Sequence, residues 1–460
     1  MLTRLQVKGF KNLVDIDVRF GPFTCLMGPN GVGKSNIFDA IIFLHLLTKH
    51  SIMEAVSLLR ETKGRSPEPH SLFSAFGKYR APEIRFIADL VVDRSVEDDF
   101  GVPAEASIST LRYEVAFRLS GENKDGRLEL VDEGLKPIKL TDARRNIGFP
   151  ASPDFEKSVI SGRRARVPFI SSSQDTTGAI IRVHQEGHGG RKVPAPKSSR
   201  TTLGGTATAD FPTVLAVHRE MESWRTLMLE PSAMRAPSLY QDDQTISSRG
   251  ANLAAAVHRL QRLDVHRGAT YAELANRLSM LVDDIQELRV RDDQKTETYT
   301  LEVRGRDGVF HPAKSLSDGT LRFLVLATLS LDPGMRGIVC LEEPENGIHP
   351  GRIPAIVELL RDVAVDVQST VDEENPLRQV IVNSHSPEVF KCCTKDEIVF
   401  VEEIKAFIDQ HPGRVASVRV PTDSWRARTH PPAAKISLGD VSTYLGRVVP
   451  LGQLWLDRDD

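Results

Sequence analysis

An eight-residue loop with the composition of a phosphate-binding site lies near the start of the chain. Residues 28 to 35 read Gly-Pro-Asn-Gly-Val-Gly-Lys-Ser and fit the pattern G-x-x-x-x-G-K-[ST] without a gap. Glycines let backbone N–H groups approach phosphate oxygens, since a Cβ would stand in the way. Lys34 supplies a positive charge for the β- and γ-phosphates, and the Ser35 hydroxyl suits Mg²⁺. The pattern predicts a nucleoside triphosphate site formed by Gly28, Pro29, Asn30, Gly31, Val32, Gly33, Lys34, Ser35 and Asn36.

A second group of polar residues occurs much later in the chain. The small polar run 315–320 stands just before a helical pattern, and the N-terminus of a helix attracts anions. The apolar run 337–341 ends in Glu342 and Glu343. One carboxylate there can hold Mg²⁺ through its water shell, and the other can orient an attacking water. Another apolar run is followed by His385, which would therefore also lie just after the end of a strand.

Each of these features also has an ordinary interpretation. Adjacent glutamates such as Glu342 and Glu343 are usually solvated surface charge, and a histidine after a strand is usually a loop residue with a satisfied ring. The dinucleotide fingerprint G-x-G-x-x-G does not fit the first loop, because Asn36 stands where its third glycine would be. The order of all the features along one chain favours a single nucleotide-hydrolysis site.

The hydrophobic pattern predicts the elements that would position these residues. Alternation over 14–20 and the apolar run 23–27 predict two strands, the second of which leads into the loop and a helix. Alternating stretches within 84–119 and 287–304 predict antiparallel strands. Helical periodicity returns from Phe211. This mixture predicts an α/β protein.

The composition predicts a soluble protein without covalent cross-links. The 460 residues carry a formal net charge of −3, so only a local basic patch could attract nucleic acid. No apolar run approaches the roughly 20 residues of a membrane span, and the first residues do not resemble a signal peptide. We therefore expect a cytoplasmic location without a membrane partner. The four cysteines form no C-x-x-C pair, which argues against zinc sites and disulfides.

The same patterns predict one composite domain over residues 1–460. An N-terminal lobe, 1–135, would carry the phosphate loop and antiparallel strands, and a C-terminal lobe, 291–460, would carry the second group of polar residues. A helical subdomain is expected over 211–290. Serine, threonine, glycine and arginine are frequent between about 140 and 210, where we predict a flexible basic insertion.

These motifs resemble those of the ATP-binding-cassette (ABC) ATPases, specifically the soluble branch with the RecF, SMC and OLD proteins. The run 341–350 is similar to the I-E-E-P-E-N-G-L-H-P motif of stand-alone predicted AAA-type ATPases. The resemblance covers most of the chain and implies an ABC-type P-loop fold with a mixed central sheet, an N-terminal antiparallel β subdomain and a helical subdomain. Further matching segments are Phe10-Lys-Asn, Met234-Arg-Ala-Pro-Ser, Asn252-Leu-Ala-Ala-Ala-Val-His-Arg-Leu and Leu451-Gly-Gln-Leu-Trp-Leu.

The resemblance implies a role for each matching residue. Lys34 would bind phosphate, and Ser35 and Glu342 would be associated with Mg²⁺. Glu343 would be the catalytic base, and His385 would sense the γ-phosphate of ATP. The turn 344–350 would lie at an interface between two subunits.

The resemblance also implies a signature loop, which in this family caps the γ-phosphate of the opposite subunit. The usual L-S-G-G-Q appears here as Leu-Ser-Asp-Gly-Thr, so the contacts of its last residue are not carried over. The glutamine of the family's lid loop is not identifiable, and Gln174 is a weak candidate. The remaining residues assigned to nucleotide contact are Lys11, Asn12, Ser317, Asp318 and Gly319.

Such an architecture implies a homodimer with two ATP molecules at its interface, and higher assemblies stay open. ATP binding would close the dimer and hydrolysis would open it. The segments 399–403 and 456–459 superficially resemble motifs of a TOPRIM nuclease, but we expect no such domain in this chain, because strands to complete that fold are lacking. The output is therefore expected in an attached partner.

Two classes of function follow. In the first, the protein is the sensor or scaffold ATPase of a multi-component antiviral defence system that controls a separate effector, such as a nuclease or TOPRIM-type protein. In the second, it is a RecF-like repair clamp that binds DNA directly; a transporter motor is the third alternative. The basic residues of the predicted insertion could contact DNA or an acidic partner, or simply be solvated. They are Lys157, Arg163, Arg164, Arg166, Arg182, Arg191, Lys192, Lys197 and Arg200.

Overall fold

The computed structural model describes residues 1–59, 68–121, 126–162, 167–175, 178–186, 188–264, 268–282, 285–429 and 435–445. Its helices, numbered in chain order, are α1 (Lys34–Lys49), α2 (Ile52–Leu58), α3 (Leu140–Ile147), α4 (Pro153–Val159), α5 (Pro212–Glu222), α6 (Pro231–Arg235), α7 (Leu253–Leu263), α8 (Ala269–Ser279), α9 (Asp318–Leu331), α10 (Ile353–Val363), α11 (Pro387–Cys392) and α12 (Leu438–Leu445). Within these ranges, none of the helices has both the length and the apolar character that crossing a membrane requires.

The strands are likewise numbered in chain order. They are β1 (Leu2–Phe10), β2 (Leu13–Arg19), β3 (Phe23–Met27), β4 (Ala75–Phe76), β5 (Tyr79–Arg80), β6 (Ile84–Val91), β7 (Ser95–Glu97), β8 (Pro103–Glu105), β9 (Thr110–Ser120), β10 (Arg127–Pro137), β11 (Ile170–Asp175), β12 (Gly178–Gln185), β13 (His188–Pro194), β14 (Arg225–Leu227), β15 (Ser238–Leu239), β16 (Glu287–Asp293), β17 (Thr298–Arg304), β18 (Phe310–Pro312), β19 (Gly337–Glu342), β20 (Arg378–Ser384), β21 (Ile398–Ile408), β22 (His411–Pro421) and β23 (Lys435–Ile436).

A mixed sheet at the centre of the molecule brings the predicted site together. Its described strands run in the order β14-β19-β20-β3-β21-β22-β23. Strands β19, β20, β3 and β21 are parallel neighbours, and β22 returns antiparallel to β21. The carboxyl ends of parallel strands meet at one edge of a sheet, where α/β proteins bind ligands. The phosphate loop follows β3, Glu343 follows β19 and His385 follows β20 at this edge.

An antiparallel sheet forms the N-terminal part of the fold, as the resemblance to ABC ATPases implies. In the described residues its order is β13-β12-β11-β10-β9-β6-β1-β2. The segment predicted to be a flexible insertion supplies β11, β12 and β13 of this sheet together with α3 and α4. The described part of 140–210 thus forms regular strands and helices, and its flexibility stays a prediction. The physical reason for the regular strands is burial, because Ile170, Ile181 and Val183 join the main hydrophobic core.

The helices predicted to form one subdomain divide between two hydrophobic cores. Val214 and Val217 of α5 pack in the core that joins α1 to the antiparallel sheet. Leu253 of α7 and Leu274 of α8 pack instead with α9 and α10 on the other side of the mixed sheet. The predicted helical periodicity is confirmed by α5, α7 and α8, but periodicity does not reveal which core each helix face enters.

A fully buried arginine ties together three segments behind the phosphate-loop strand. Arg426 is 0% exposed, and its guanidinium donates to the backbone oxygens of Arg19 and Asp396 and to Thr24 Oγ1. Burial lowers the pKa of Arg426 to about 9, which leaves the group charged at neutral pH. The three oxygens that accept these hydrogen bonds therefore compensate the buried positive charge of Arg426.

Replacing Arg426 by Met is expected to lower the free energy of unfolding by about 3–5 kcal/mol, since the substitution strands several buried acceptors. The measurement is the shift of the urea unfolding midpoint. Arg428→Met, on the exposed neighbour in the same short turn, is the matched control and should stay within about 0.5 kcal/mol of wild type. Equal shifts in the two variants would contradict an anchoring role for Arg426.

Candidate nucleotide-binding site

The phosphate loop connects β3 to α1, and its shape depends on glycine. Gly31 and Gly33 have φ angles of 81° and 113°, where side chains cause strain. A Cβ on Gly28 would lie 2.1 Å from the carbonyl oxygen of Val401, and one on Gly33 would lie 2.6 Å from Asn12 Nδ2. The loop thus forms a cradle lined by backbone without side chains at its glycines, and space is open beside Gly31.

Lys11 and Asn12 support this loop from behind. Asn12 Nδ2 donates to the carbonyl oxygen of Val32 at 3.1 Å, and Asn36 Nδ2 donates to Asn12 Oδ1 at 2.7 Å. Lys11 Nζ donates to Asp39 Oδ2 on α1 at 2.6 Å. The two residues that the sequence assigns to nucleotide contact are therefore placed to hold the loop and helix in register.

Lys34 begins α1 and points back across the loop. Its Nζ donates to the carbonyl oxygens of Gly28 at 2.5 Å and Pro29 at 2.7 Å. Burial lowers the pKa of Lys34, and the negative charge of Glu343 offsets part of that effect. The ammonium group of Lys34 is thus held inside the loop, across from the carboxylate of Glu343. A cation in this position can form charge-assisted hydrogen bonds with phosphate oxygens.

A cleft of about 180 Å³ brings the two groups of predicted residues together. Side chains from the loop form one wall, and carboxylates from the end of β19 form the other. Its lining residues are Asn30, Gly31, Gly33, Lys34, Ser35, Asn36, Glu342, Glu343 and Asn383. Ser35 and Glu342 offer a hydroxyl and a carboxylate to the same space, and Mg²⁺ prefers such oxygen ligands. The glycine cradle, the lysine and these oxygens fit a magnesium–nucleotide complex.

Glu343 is held by contacts from two neighbouring segments. Its Oε1 lies 2.9 Å from His385 Nδ1, a close approach without hydrogen-bond geometry, and Asn346 Nδ2 donates to its Oε2 at 2.8 Å. Its backbone N–H donates to the carbonyl oxygen of Asn383 at 3.0 Å. Its φ angle is 45°, an unusual value for a residue with a side chain. Strained backbone of this kind often marks a functional residue.

Asn383 is a site residue that the sequence did not single out. Its Nδ2 donates to Glu342 Oε1 at 3.3 Å, and its Oδ1 accepts a hydrogen bond from the Glu343 backbone N–H at 3.2 Å. It thereby positions both carboxylates. The available signal was its place at the end of an apolar strand, immediately before Ser384 and His385.

The predicted signature loop does not line the cleft of its own chain. Ser317 caps α9, where its Oγ accepts from the Thr320 N–H at 3.2 Å. A Cβ on Gly319 would lie 3.0 Å from the carbonyl oxygen of Gly347, so the loop packs against the 344–350 turn.

A segment that the sequence marked only as a family match explains how the signature loop is held. Arg235 of Met234-Arg-Ala-Pro-Ser donates a short hydrogen bond to Asp318 Oδ1 and another bond to the Leu316 carbonyl oxygen at 3.1 Å. The aspartate that departs from the usual signature sequence therefore has an arginine partner.

Gln174, the candidate for the lid glutamine, lies elsewhere. It is exposed on β11 and pairs with Ala179 of β12 in the antiparallel sheet. It is not among the described residues that line the cleft. The terminal match at 451–456 and the acidic tail 457–460 lie outside the described residues, as do Arg163, Arg164 and Arg166.

A family model described as "AAA domain, putative AbiEii toxin, Type IV TA system" matches residues 23–391. The chain belongs to this family. The matched range contains every residue that lines the cleft, together with the signature loop and His385. Membership in this AAA-domain family therefore rests on the same part of the chain as the site.

Parts of the chain are similar to known OLD and Rad50 proteins. The OLD nuclease of Thermus scotoductus is 58% identical over 41 residues, which are 9% of this chain and 8% of that protein. The double-strand break repair Rad50 ATPase of Saccharolobus solfataricus is 23% identical over 202 residues, 43% of this chain and 23% of that protein. An SMC head solved with the C-winged helix domain of ScpA aligns over 90% of this chain and 98% of its own, with a TM-score of 0.46 and 12% identity. The chain thus spans less than a quarter of either curated relative.

Proposed function

We propose that this protein binds ATP with Mg²⁺ and hydrolyses it as a dimerising switch. The observation that carries the proposal is the 2.9 Å approach of Glu343 to His385 beside a cleft that Lys34 and Ser35 line from the opposite wall. Membership in an AAA-domain family supports ATP as the nucleotide.

The residues of the cleft divide the chemistry between them. The loop N–H groups and Lys34 would bind the β- and γ-phosphates, and Ser35 and Glu342 would hold Mg²⁺, which would neutralise phosphate charge. Glu343 orients the attacking water and accepts its proton. His385 contacts Glu343 and would sense the γ-phosphate. Preorganised groups of this kind stabilise the charge that develops during phosphoryl transfer.

The position of the signature loop supports a dimer as the working unit. Ser317, Asp318 and Gly319 do not line their own cleft, and the exposed Ser317 and half-buried Asp318 leave this loop accessible to a second subunit. Two chains related by a twofold axis would complete each other's ATP sites. ATP would then favour the closed dimer, and hydrolysis would release it.

We further propose that the switch is the sensor or scaffold ATPase of an antiviral defence system with a separate effector. The family description names a putative toxin and a Type IV TA (toxin–antitoxin) system, and a matching relative is an OLD nuclease. Both connect related ATPase domains with toxic or nucleolytic outputs. The effector would be a nuclease or a TOPRIM-type protein that the closed dimer holds or releases.

A direct DNA-binding role is the second candidate, and the antiparallel sheet favours it. Arg182 of β12 lies opposite Lys192 of β13, so the two side chains share one face of the sheet. Both residues are exposed. Backbone phosphates are recognised by such groups of positive charge. The matching Rad50 protein is named for double-strand break repair, which is consistent with this alternative.

Purification of tagged Glu343→Gln from its native host, in the presence of ATP, tests the proposal. We expect a small nuclease or other toxic protein to co-purify at a fixed stoichiometry with the closed dimer. Lys34→Ala, purified in parallel, is the control that should lose this partner. Recovery of DNA alone, with affinity that falls steeply between about 50 and 200 mM salt, would instead support the repair clamp. Arg182→Gln/Lys192→Gln should then reduce that salt dependence.

A further inference from the structure

One buried contact at the cleft edge has no part in the mechanism above. Residues 383–385, at and just after the end of β20, contact three glutamates at and just after the end of β19. Two of these contacts involve Glu342 and Glu343. The third is a short hydrogen bond from Ser384 Oγ to Glu345 Oε1. Ser384 is fully buried and Glu345 is 9% exposed, so solvent does not replace this bond.

The buried environment of Glu345 is energetically unfavourable for a carboxyl group. Its Oε2 is buried and has no hydrogen-bond partner among the described residues. Burial raises the pKa of Glu345, while the hydrogen bond from Ser384 opposes that shift. An imperfectly paired buried carboxyl costs stability, which suggests that the pair is retained for the geometry it imposes.

The pair lies where it can control that geometry. Glu345 stands two residues after Glu343, and Ser384 immediately precedes His385. Around this bond, the Ile348 N–H donates to the Glu345 carbonyl oxygen at 3.1 Å, and the Ser386 N–H donates to Ser384 Oγ at 3.0 Å. One side-chain bond therefore joins the backbone that carries the base to the backbone that carries the histidine.

We propose that Glu345 is a positioning residue of the ATPase site, whose carboxyl fixes the 344–350 turn to Ser384 and so holds Glu343 and His385 in contact. This inference rests on the proposed ATP hydrolysis for its effect on rate. The strained φ of Glu343 supports it, because strained backbone persists only where its surroundings over-determine it.

Steady-state ATPase kinetics of Glu345→Ala, Ser384→Ala and Glu345→Gln test the proposal. We expect kcat to fall roughly 10- to 100-fold in both alanine variants, as when a supporting shell is lost. KM for ATP should stay within about threefold, because the phosphate cradle is untouched. Glu345→Gln retains an oxygen that can accept from Ser384 and should keep most of the rate. In the double alanine variant kcat should fall no further than in either single variant, because both substitutions remove the same interaction.

Hydrogen exchange supplies a readout that does not depend on turnover. Glu345→Ala should speed amide exchange in 343–348 and 384–386 together, and Glu345→Gln should leave both segments close to wild type. Glu133→Ala, at a buried glutamate of the antiparallel sheet, is the control for general destabilisation and should not single out these segments. If Glu345→Gln behaved like Glu345→Ala, or if Ser384→Ala had no effect, the proposal would be overturned. A wild-type protein without ATPase activity would refute the proposed function, and the exchange comparison would still decide the role of Glu345.

Discussion

Glu343→Gln is expected to bind ATP normally and to lose turnover by roughly 10²- to 10⁴-fold, the range associated with removing a general base. The amide keeps the size of the side chain, so its contacts with Asn346 and His385 can be largely preserved, but it cannot accept the proton from water. Because the nucleotide then persists, the ATP-bound dimer should accumulate. Phosphate release measures the rate, and light scattering after gel filtration with ATP measures the dimer.

Glu374→Gln, on an exposed residue of the loop before β20, is the matched control and should match wild type in both measurements. Unchanged turnover in Glu343→Gln would remove this residue from the role of base. Loss of ATP binding would instead show that the negative charge of Glu343 contributes to the binding of ATP itself.

Lys34→Ala should weaken ATP binding roughly 10- to 100-fold and prevent ATP-dependent dimerisation. A hydrogen bond to a charged group contributes about 1.5–3 kcal/mol, and each 1.4 kcal/mol is about tenfold in affinity. The alanine also leaves the carbonyl oxygens of Gly28 and Pro29 without the ammonium that now contacts them. Titration with a fluorescent ATP analogue measures the affinity, and thermal unfolding checks that the fold is intact.

Lys49→Ala removes a half-exposed lysine at the other end of the same helix and should leave ATP affinity unchanged. Equal affinities in Lys34→Ala and Lys49→Ala would contradict the assignment of the loop as the phosphate site. The Lys34 and Glu343 variants thus have opposite expected effects on the dimer. The first should stay monomeric with ATP, and the second should stay dimeric.

The sequence alone determined the features that depend on local chemistry. The phosphate loop could be predicted because glycine spacing directly encodes backbone freedom, and the adjoining lysine and serine encode charge and ligand type. The strands before Lys34, Glu343 and His385 were likewise visible, since buried parallel strands read as short apolar runs. Their site residues therefore met at one edge of the sheet, as the resemblance implied.

The tertiary structure decided which distant residues touch. An apolar run does not reveal its neighbours, so the order β19-β20-β3, which brings Asn383 against Glu342, had no sequence signal of its own. The same limit explains why 140–210 was read as an insertion: its strands are stabilised by burial against the antiparallel sheet, whereas its composition is typical of loops. It also explains why two contacts between polar side chains could not be predicted. Arg235 and Ser384 have partners far away in the chain, which are Asp318 and Glu345. Such contacts form because folding removes these groups from water, and only the folded chain shows which partner compensates each one.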